Sequence, residues 1–475
     1  MSHSAVDTKD AKGLPLSAVG FLVLTAAISL AVSHYRMMWF DEFLILNTDS
    51  VSSLRQLLHV QRTTPISLDP FTYHLFAHLS IRLFGAGAFA IRLPSLLGYL
   101  LMQVCLFLFV RRIASQNAAL FAMVFPSLLY AQYFSVAARP YGLELGLYAL
   151  VMLCWQNAIR SDSHRTATLI TLAVALSLKL NTHFFAILLL IPLYAAELFR
   201  SVQRRRLDLP LLASIGLGTA AIVAALPFVK AAAEFREHYI ALNVDAHFIP
   251  LAYQTLLVFP DGSSGMGRTI FLAVLILALL WGGIRLVKYP VPGMLKPEYV
   301  LLITLTALPF FGYLLAVFVT HSIYARYVIG AALGMTILEA VAFAPLLNSR
   351  RTFRVVLGLM LLVVLAHGVQ RIHRERQSKQ RRLAELVLSP VIKAELMSTP
   401  DHLLYIQDLE TFFVARFYEP DPDVRARLAL VCSYDQELRL MNQDTYWMQG
   451  THLGDFTDAR VVSYETIASQ PGEHL

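Results

Sequence analysis

Eleven apolar runs constrain this chain more than any other feature. They lie at 14–34, 88–110, 115–135, 140–158, 166–179, 183–199, 209–229, 269–287, 298–319, 326–346 and 354–370. A helix crosses the hydrocarbon of a bilayer with about 20 apolar residues. Most of the runs reach that length, and the fifth and sixth are shorter. The expected fold is therefore an all-α polytopic membrane protein of about eleven spans. Of the 475 residues, 57% are hydrophobic and 15% charged, where a soluble domain has about a quarter charged. The first run has no convincing small-residue cleavage site and reads as a retained helix.

The net charge of +7 is not a nucleic-acid signal, because the basic residues sit in short clusters between apolar runs. Arg111-Arg112, Arg160 with Arg165, Arg204 to Arg206, Arg285 with Lys288, and Arg350-Arg351 with Arg354 all fall on one side, expected to be the cytoplasm. The other side receives the loop 35–87 and the turn Arg139-Pro140-Tyr141. It also receives the loop 230–268, with Glu234, Asp245, His247, Asp261, Gly262, Gly265 and Gly267, and a tail from about 372. The basic stretch Arg371 to Arg382 breaks the pattern and is expected to lie as a helix on the outer head groups. Within the first loop, 42–59 and 71–84 fit amphipathic helices, broken at Pro65 and Asp69-Pro70. The tail is less apolar. Its β-like runs at 403–406, 428–431 and 459–462 predict a small extracytoplasmic α/β domain over 372–475, beside a transmembrane unit over 1–371. Cys105 and Cys154 fall inside apolar runs and Cys432 in the tail, so no disulfide framework is expected.

Acids and arginines gather at the outer boundary. Asp41-Glu42 directly follows the first run. Asp41 suits an N-cap, or a general base with Glu42 binding substrate or metal. Arg139 ends the third run and suits a snorkelling role or a bidentate hold on a phosphate or carboxylate. Glu144, one helical turn into the fourth run, is expected to pair with Arg139. Lys179, Asn181 and His183 interrupt the apolar stretch between the fifth and sixth runs. Arg326-Tyr327 follows His321 and Tyr324 and offers a second anion holder. Arg92 reads as structural, and Glu339 lies mid-run without an assigned role. His74 and His78 have metal-ligand spacing but lack the acid of a zinc-protease motif.

These residues resemble the motifs of the GT-C superfamily of membrane glycosyltransferases. The similarity is to the bacterial branch related to protein mannosyltransferases and to lipopolysaccharide-modifying sugar transferases. It rests on Trp39-Phe40-Asp41-Glu42, on Leu68-Asp69-Pro70-Phe71-Thr72-Tyr73 with Ile91-Arg92-Leu93-Pro94-Ser95, on Ala137-Ala138-Arg139-Pro140-Tyr141-Gly142-Leu143, on Asn181-Thr182-His183-Phe184-Phe185, and on Arg326-Tyr327. It is close over about residues 30–200 and loose beyond. The resemblance implies sugar transfer from a polyprenyl-phosphate carrier to a lipid, glycan or protein acceptor, at the extracytoplasmic face of the inner (plasma) membrane. Asp41 would be the base, assisted by Glu42. Arg139, Arg326 and Tyr327 would hold the donor phosphate, and Asp69, Tyr141, Glu144 and His183 would line the substrate. Some members use a divalent metal (Mg or Mn) and others none. This chain shows no clear ligand set, so metal stays open. The tail departs from the mannosyltransferase pattern in lacking a carbohydrate-binding repeat. The competing reading is a transporter or flippase for a lipid-linked or anionic substrate, although the polar residues gather at one face rather than at the midplane.

Overall fold

The computed structural model describes residues 13–161, 163–235, 244–257, 266–386, 390–399, 402–441 and 444–469. Asp261, Gly262 and Gly265 lie outside them. Every apolar run has a helical counterpart. The first two are α1 (Leu16–Tyr35) and, after three short helices α2 (Phe40–Asp49), α3 (Leu54–Thr63) and α4 (Phe71–Phe84), the long α5 (Ala88–Ile113). The third run holds α6 (Gln116–Val124) and then breaks into two 3-10 turns. Next come α7 (Tyr141–Arg160), α8 (Arg165–Leu180) and α9 (Leu190–Arg204), the last preceded by a 3-10 turn over Phe184–Leu189. They are followed by α10 (Leu209–Ala220), α11 (Leu226–Phe235), α12 (Phe248–Leu256), α13 (Met266–Lys288), α14 (Lys296–Thr306), α15 (Leu308–Leu315), α16 (Ala331–Leu347) and α17 (Arg350–Leu386).

Among the described residues, six helical segments are long and apolar enough to span a membrane, or seven counting α14 and α15, which meet at 53°. The bend falls at Ala307, just before Pro309, which lacks the amide proton that would continue the ladder. The chain is thus a multi-pass membrane protein. The basic stretch expected to lie as a helix on the outer head groups is helical, as the continuation of α17. Its Arg371 is buried and donates to Gln132 Oε1 at 2.9 Å.

The packing of α5 against α7 places the site. A Cβ on Gly146 would lie 2.2 Å from the Gly98 carbonyl oxygen, and one on Gly98 2.3 Å from Leu143 Cα. With Gly142, these glycines let the two helices touch backbone to backbone, the small-xxx-small device of membrane helices. The start of α7, just after Arg139, is thereby fixed against α5.

The tail contains β1 (Leu404–Ile406), β2 (Leu428–Cys432) and β3 (Arg460–Ser463), a parallel sheet in the order β1-β2-β3. Around it run α18 (Pro390–Ser398), α19 (Leu409–Tyr418), α20 (Pro422–Ala426), α21 (Tyr434–Met441), α22 (Thr445–Leu453) and α23 (Tyr464–Ala468). This layer shares an apolar core with α2, α4 and the start of α5. Phe43 stacks on Phe413 at 5.5 Å, the Met38 amide donates to the Tyr418 hydroxyl at 2.9 Å, and Gln449 donates to the Ile66 carbonyl at 3.0 Å. All three cysteines are free and buried.

Candidate active site

Glu42 and Asp41 sit in the first turn of α2 but face different surroundings. Glu42 is fully buried. Its carboxylate accepts from Arg92 Nε at 3.0 Å, Arg92 Nη2 at 2.5 Å and the Ala138 amide at 2.7 Å. Burial alone would raise its pKa. Arg92 and Arg36 outweigh that and hold it below the ordinary carboxylate range. Arg92 also donates to the carbonyls of Ser33, Arg36 and Met37. The pair therefore ties the end of α1, the start of α2 and the residue before Arg139 into one knot. Asp41, one residue earlier and about 100° around the helix, keeps 22% of its side chain exposed. The N-cap position belongs to Trp39, so Asp41 is not the cap that its sequence context suggests.

Arg139 lies between two carboxylates. Its Nη1 is 3.3 Å from Asp69 Oδ2 and 3.7 Å from Asp41 Oδ2. Its carbonyl accepts from Ser95 Oγ at 2.7 Å. Asp69 is buried just before Pro70, the N-cap of α4.

Arg326 approaches from the other side. Its Nε donates to the Tyr141 hydroxyl at 3.1 Å, and its guanidinium lies 4.2 Å from the Tyr324 ring centre and 5.5 Å from that of Tyr327. Among the described residues it has no carboxylate partner. Tyr327 packs 4.7 Å from His183 and 4.6 Å from Phe185, and Tyr141 lies 5.3 Å from His183. His183 precedes the segment that begins at Phe184. Its Nδ1 accepts from the Phe185 amide at 3.2 Å, which leaves the ring proton on Nε2. His183 is thus a neutral donor.

One expected partnership is different. Glu144 accepts from Lys179 Nζ at 2.6 Å, both buried, rather than pairing with Arg139. Lys179 was legible only as an interruption, because its partner lies on another helix. His74 and His78 turn toward Asp49, a buried acid that the sequence reading passed over: His74 Nδ1 is 2.7 Å from Asp49 Oδ1, and His78 Nδ1 is 2.9 Å from the Asp49 carbonyl. Asn181 gives its carbonyl to the Thr72 amide at 2.9 Å and so ties α8 to α4. Glu339 stays apart, in α16 against Gly282. The described residues contain no group of three or more His, Cys, Asp or Glu placed to hold a metal ion.

The tail layer roofs the acidic side. Tyr446 packs edge-on to Phe40 at 5.0 Å. Burial and the charges of Glu410, Asp408 and Asp41 raise the pKa of its phenol. Asp408 and Glu410 lie just beyond the carboxyl end of β1, the edge where parallel sheets commonly bind ligands. In the sequence they read only as polar residues after the β-like run at 403–406.

The resemblance read from the motifs is answered by the comparisons with known proteins, in a family model over part of the chain and a similar fold over nearly all of it. The model of the dolichyl-phosphate-mannose-protein mannosyltransferase family matches residues 69–229, a stretch that holds Asp69, Arg139, Tyr141, Glu144 and His183. The fold is similar to ArnT from Cupriavidus metallidurans bound to undecaprenyl phosphate, with TM-score 0.60 and 14% identity, over 95% of this chain and 91% of that one. The apo form of the same protein gives 0.59 and 14%, over 95% and 90%. The Archaeoglobus fulgidus oligosaccharyltransferase AglB, in complex with an inhibitory peptide and a dolichol-phosphate, aligns at 0.43 and 11%, over 94% and 69%. No curated protein matches the chain in sequence.

Proposed function

We propose that the chain transfers a sugar from a polyprenyl-phosphate carrier to an acceptor at the extracytoplasmic face of the plasma membrane, with Asp41 as the general base. One observation carries this reading. A partly exposed carboxylate lies 3.7 Å from Arg139, and a second arginine, Arg326, with no carboxylate partner among the described residues, donates to Tyr141, two residues on from Arg139.

In this reading the acceptor oxygen attacks the anomeric carbon, Asp41 takes its proton, and the bond from that carbon to the carrier phosphate breaks. The phosphate leaves with added negative charge, which Arg326 is placed to stabilise. Arg139 is already compensated by Asp41 and Asp69. It acts first by holding the Asp41 carboxylate in place and then shares the phosphate. Glu42 positions, through Arg92. The neutral Nε2–H of His183 and the aromatic wall of Tyr141 and Tyr327 contact the sugar or the carrier head group. Tyr446, Asp408 and Glu410 border the acceptor side. ArnT was solved with undecaprenyl phosphate, and a carrier of that type suits an arginine cluster at the end of apolar helices.

The purified protein, offered a panel of radiolabelled polyprenyl-phosphate sugars, should release the carrier phosphate and label an acceptor. Retention of every sugar on its carrier would sink the proposal. Single cysteines placed at 45–65 and in the tail should label only from the extracytoplasmic side. Labelling from the cytoplasmic side would overturn the eleven-span orientation.

A further inference from the structure

The ends of α7, α8 and α9 remote from Arg139 enclose a polar cavity. Helix α7 runs 20 residues from Tyr141 to Arg160, about 30 Å at 1.5 Å per residue, so this cavity lies a bilayer core's thickness from the proposed active site. Its volume is about 630 Å³, and Arg160, Arg165, Arg200, Arg204 and Lys296 line it together with Asp208. Among the described residues, three carboxylates answer five cations. Arg160 pairs with Glu298, Arg165 with Asp208 at 2.7 Å, and Arg200 with Glu197 at 2.7 Å and Asp208 at 3.0 Å. Arg204 and Lys296 have no ion-pair partner among the described residues, so two positive charges remain in excess around the cavity. The helices beside it expose Leu198 and Val202, each two residues from Arg200, and Leu209, which follows Asp208.

We infer that this cavity binds the phosphate head group of an anionic phospholipid from the leaflet opposite the active site. The concave cluster of excess cations suits a phosphate, and the neighbouring apolar side chains suit its acyl chains, a pairing that a soluble anion would not need. Basic pockets between membrane helices take lipid head groups by this physics. The paired arginines provide a rigid rim, because each is held by carboxylates. Arg204 and Lys296 supply the attraction.

The test compares full-length protein with Arg204→Gln/Lys296→Gln. Neither side chain supports another ion pair, so the variant should fold. Arg285→Gln, at the same end but outside the cavity, controls for general charge. Native mass spectrometry of the protein in mixed micelles measures bound phosphatidylglycerol against phosphatidylcholine, with inorganic phosphate added in a parallel arm. The wild type and Arg285→Gln should prefer phosphatidylglycerol. The double variant should lose about 30-fold of that preference, the size expected of two near-surface cations, and inorganic phosphate should not displace the lipid. An unchanged preference in the double variant, no preference in the wild type, or complete displacement by inorganic phosphate would each overturn the inference.

Discussion

Replacing Glu42 by Gln should unfold this protein more readily than any other single-atom change near the site. Glu42 is fully buried and Arg92 is 2% exposed. Three donors converge on the carboxylate at 2.5 to 3.0 Å. The amide keeps one acceptor but turns a second NH₂ toward Arg92, whose charge is then balanced only by backbone carbonyls. Losing one member of a buried pair costs about 3–5 kcal/mol. Adding Arg92→Met should recover part of that loss, since the stranded charge is gone. Recovery should be incomplete, because the carbonyls of Ser33, Arg36 and Met37 lose their donor. The pH dependence has a definite sign. The folded pKa of Glu42 is depressed, so its contribution is fully present above the unfolded value of about 4.3 and is lost as pH falls toward the folded value. Equilibrium unfolding in detergent, of both singles and the double and across pH, measures all three effects. A Glu42→Gln protein within about 1 kcal/mol of wild type would refute this account of the knot.

Substitutions at four further positions test the rest of the site. Arg326→Ala should weaken binding of the polyprenyl-phosphate donor, and Arg326→Lys should restore it only in part because the planar fork is lost. Arg139→Ala should lower turnover more than donor affinity, and equal loss of affinity in both alanine variants would contradict the division of roles. Lys179→Met should cost about 3–5 kcal/mol by stranding Glu144, with partial recovery in Lys179→Met/Glu144→Gln; additive unfolding energies would remove the pairing. His183→Asn should keep the cap on Phe185, since Asn caps well, yet lower kcat/KM through loss of the Nε2 donor. Unaltered kinetics would take His183 out of the substrate site.

The apolar runs and the three β-like stretches of the tail were legible because hydropathy and alternation are local signals. Asp41, Arg139, Arg326 and His183 were legible because polar residues at the ends of apolar runs are costly to keep there without a use. What escaped was pairing across distant segments. Nothing near Glu42 in sequence reveals Arg92, 50 residues on, and nothing near Glu144 reveals Lys179. Asp49 looked like an ordinary polar residue of an amphipathic helix until α4 brought His74 and His78 onto it. A local signal did exist for the α5–α7 contact, in Gly142-xxx-Gly146, but its partner Gly98 is visible only in three dimensions. The approach of Tyr446, Asp408 and Glu410 to Asp41 depends on how the tail docks, which periodicity does not encode.

The central claim is that the Asp41 carboxylate accepts the acceptor's proton. Asp41→Asn keeps the shape and polarity of the side chain at a position that is partly exposed and carries no cap, so folding and donor binding should be close to wild type. Proton acceptance is lost together with the charge that faces Arg139, which keeps Asp69 at 3.3 Å, and general-base catalysis typically contributes 10²–10⁴-fold. Single-turnover transfer from a radiolabelled polyprenyl-phosphate sugar should therefore fall by that factor in Asp41→Asn while donor affinity holds. Transfer at a near-normal rate by a properly folded Asp41→Asn protein would contradict the account.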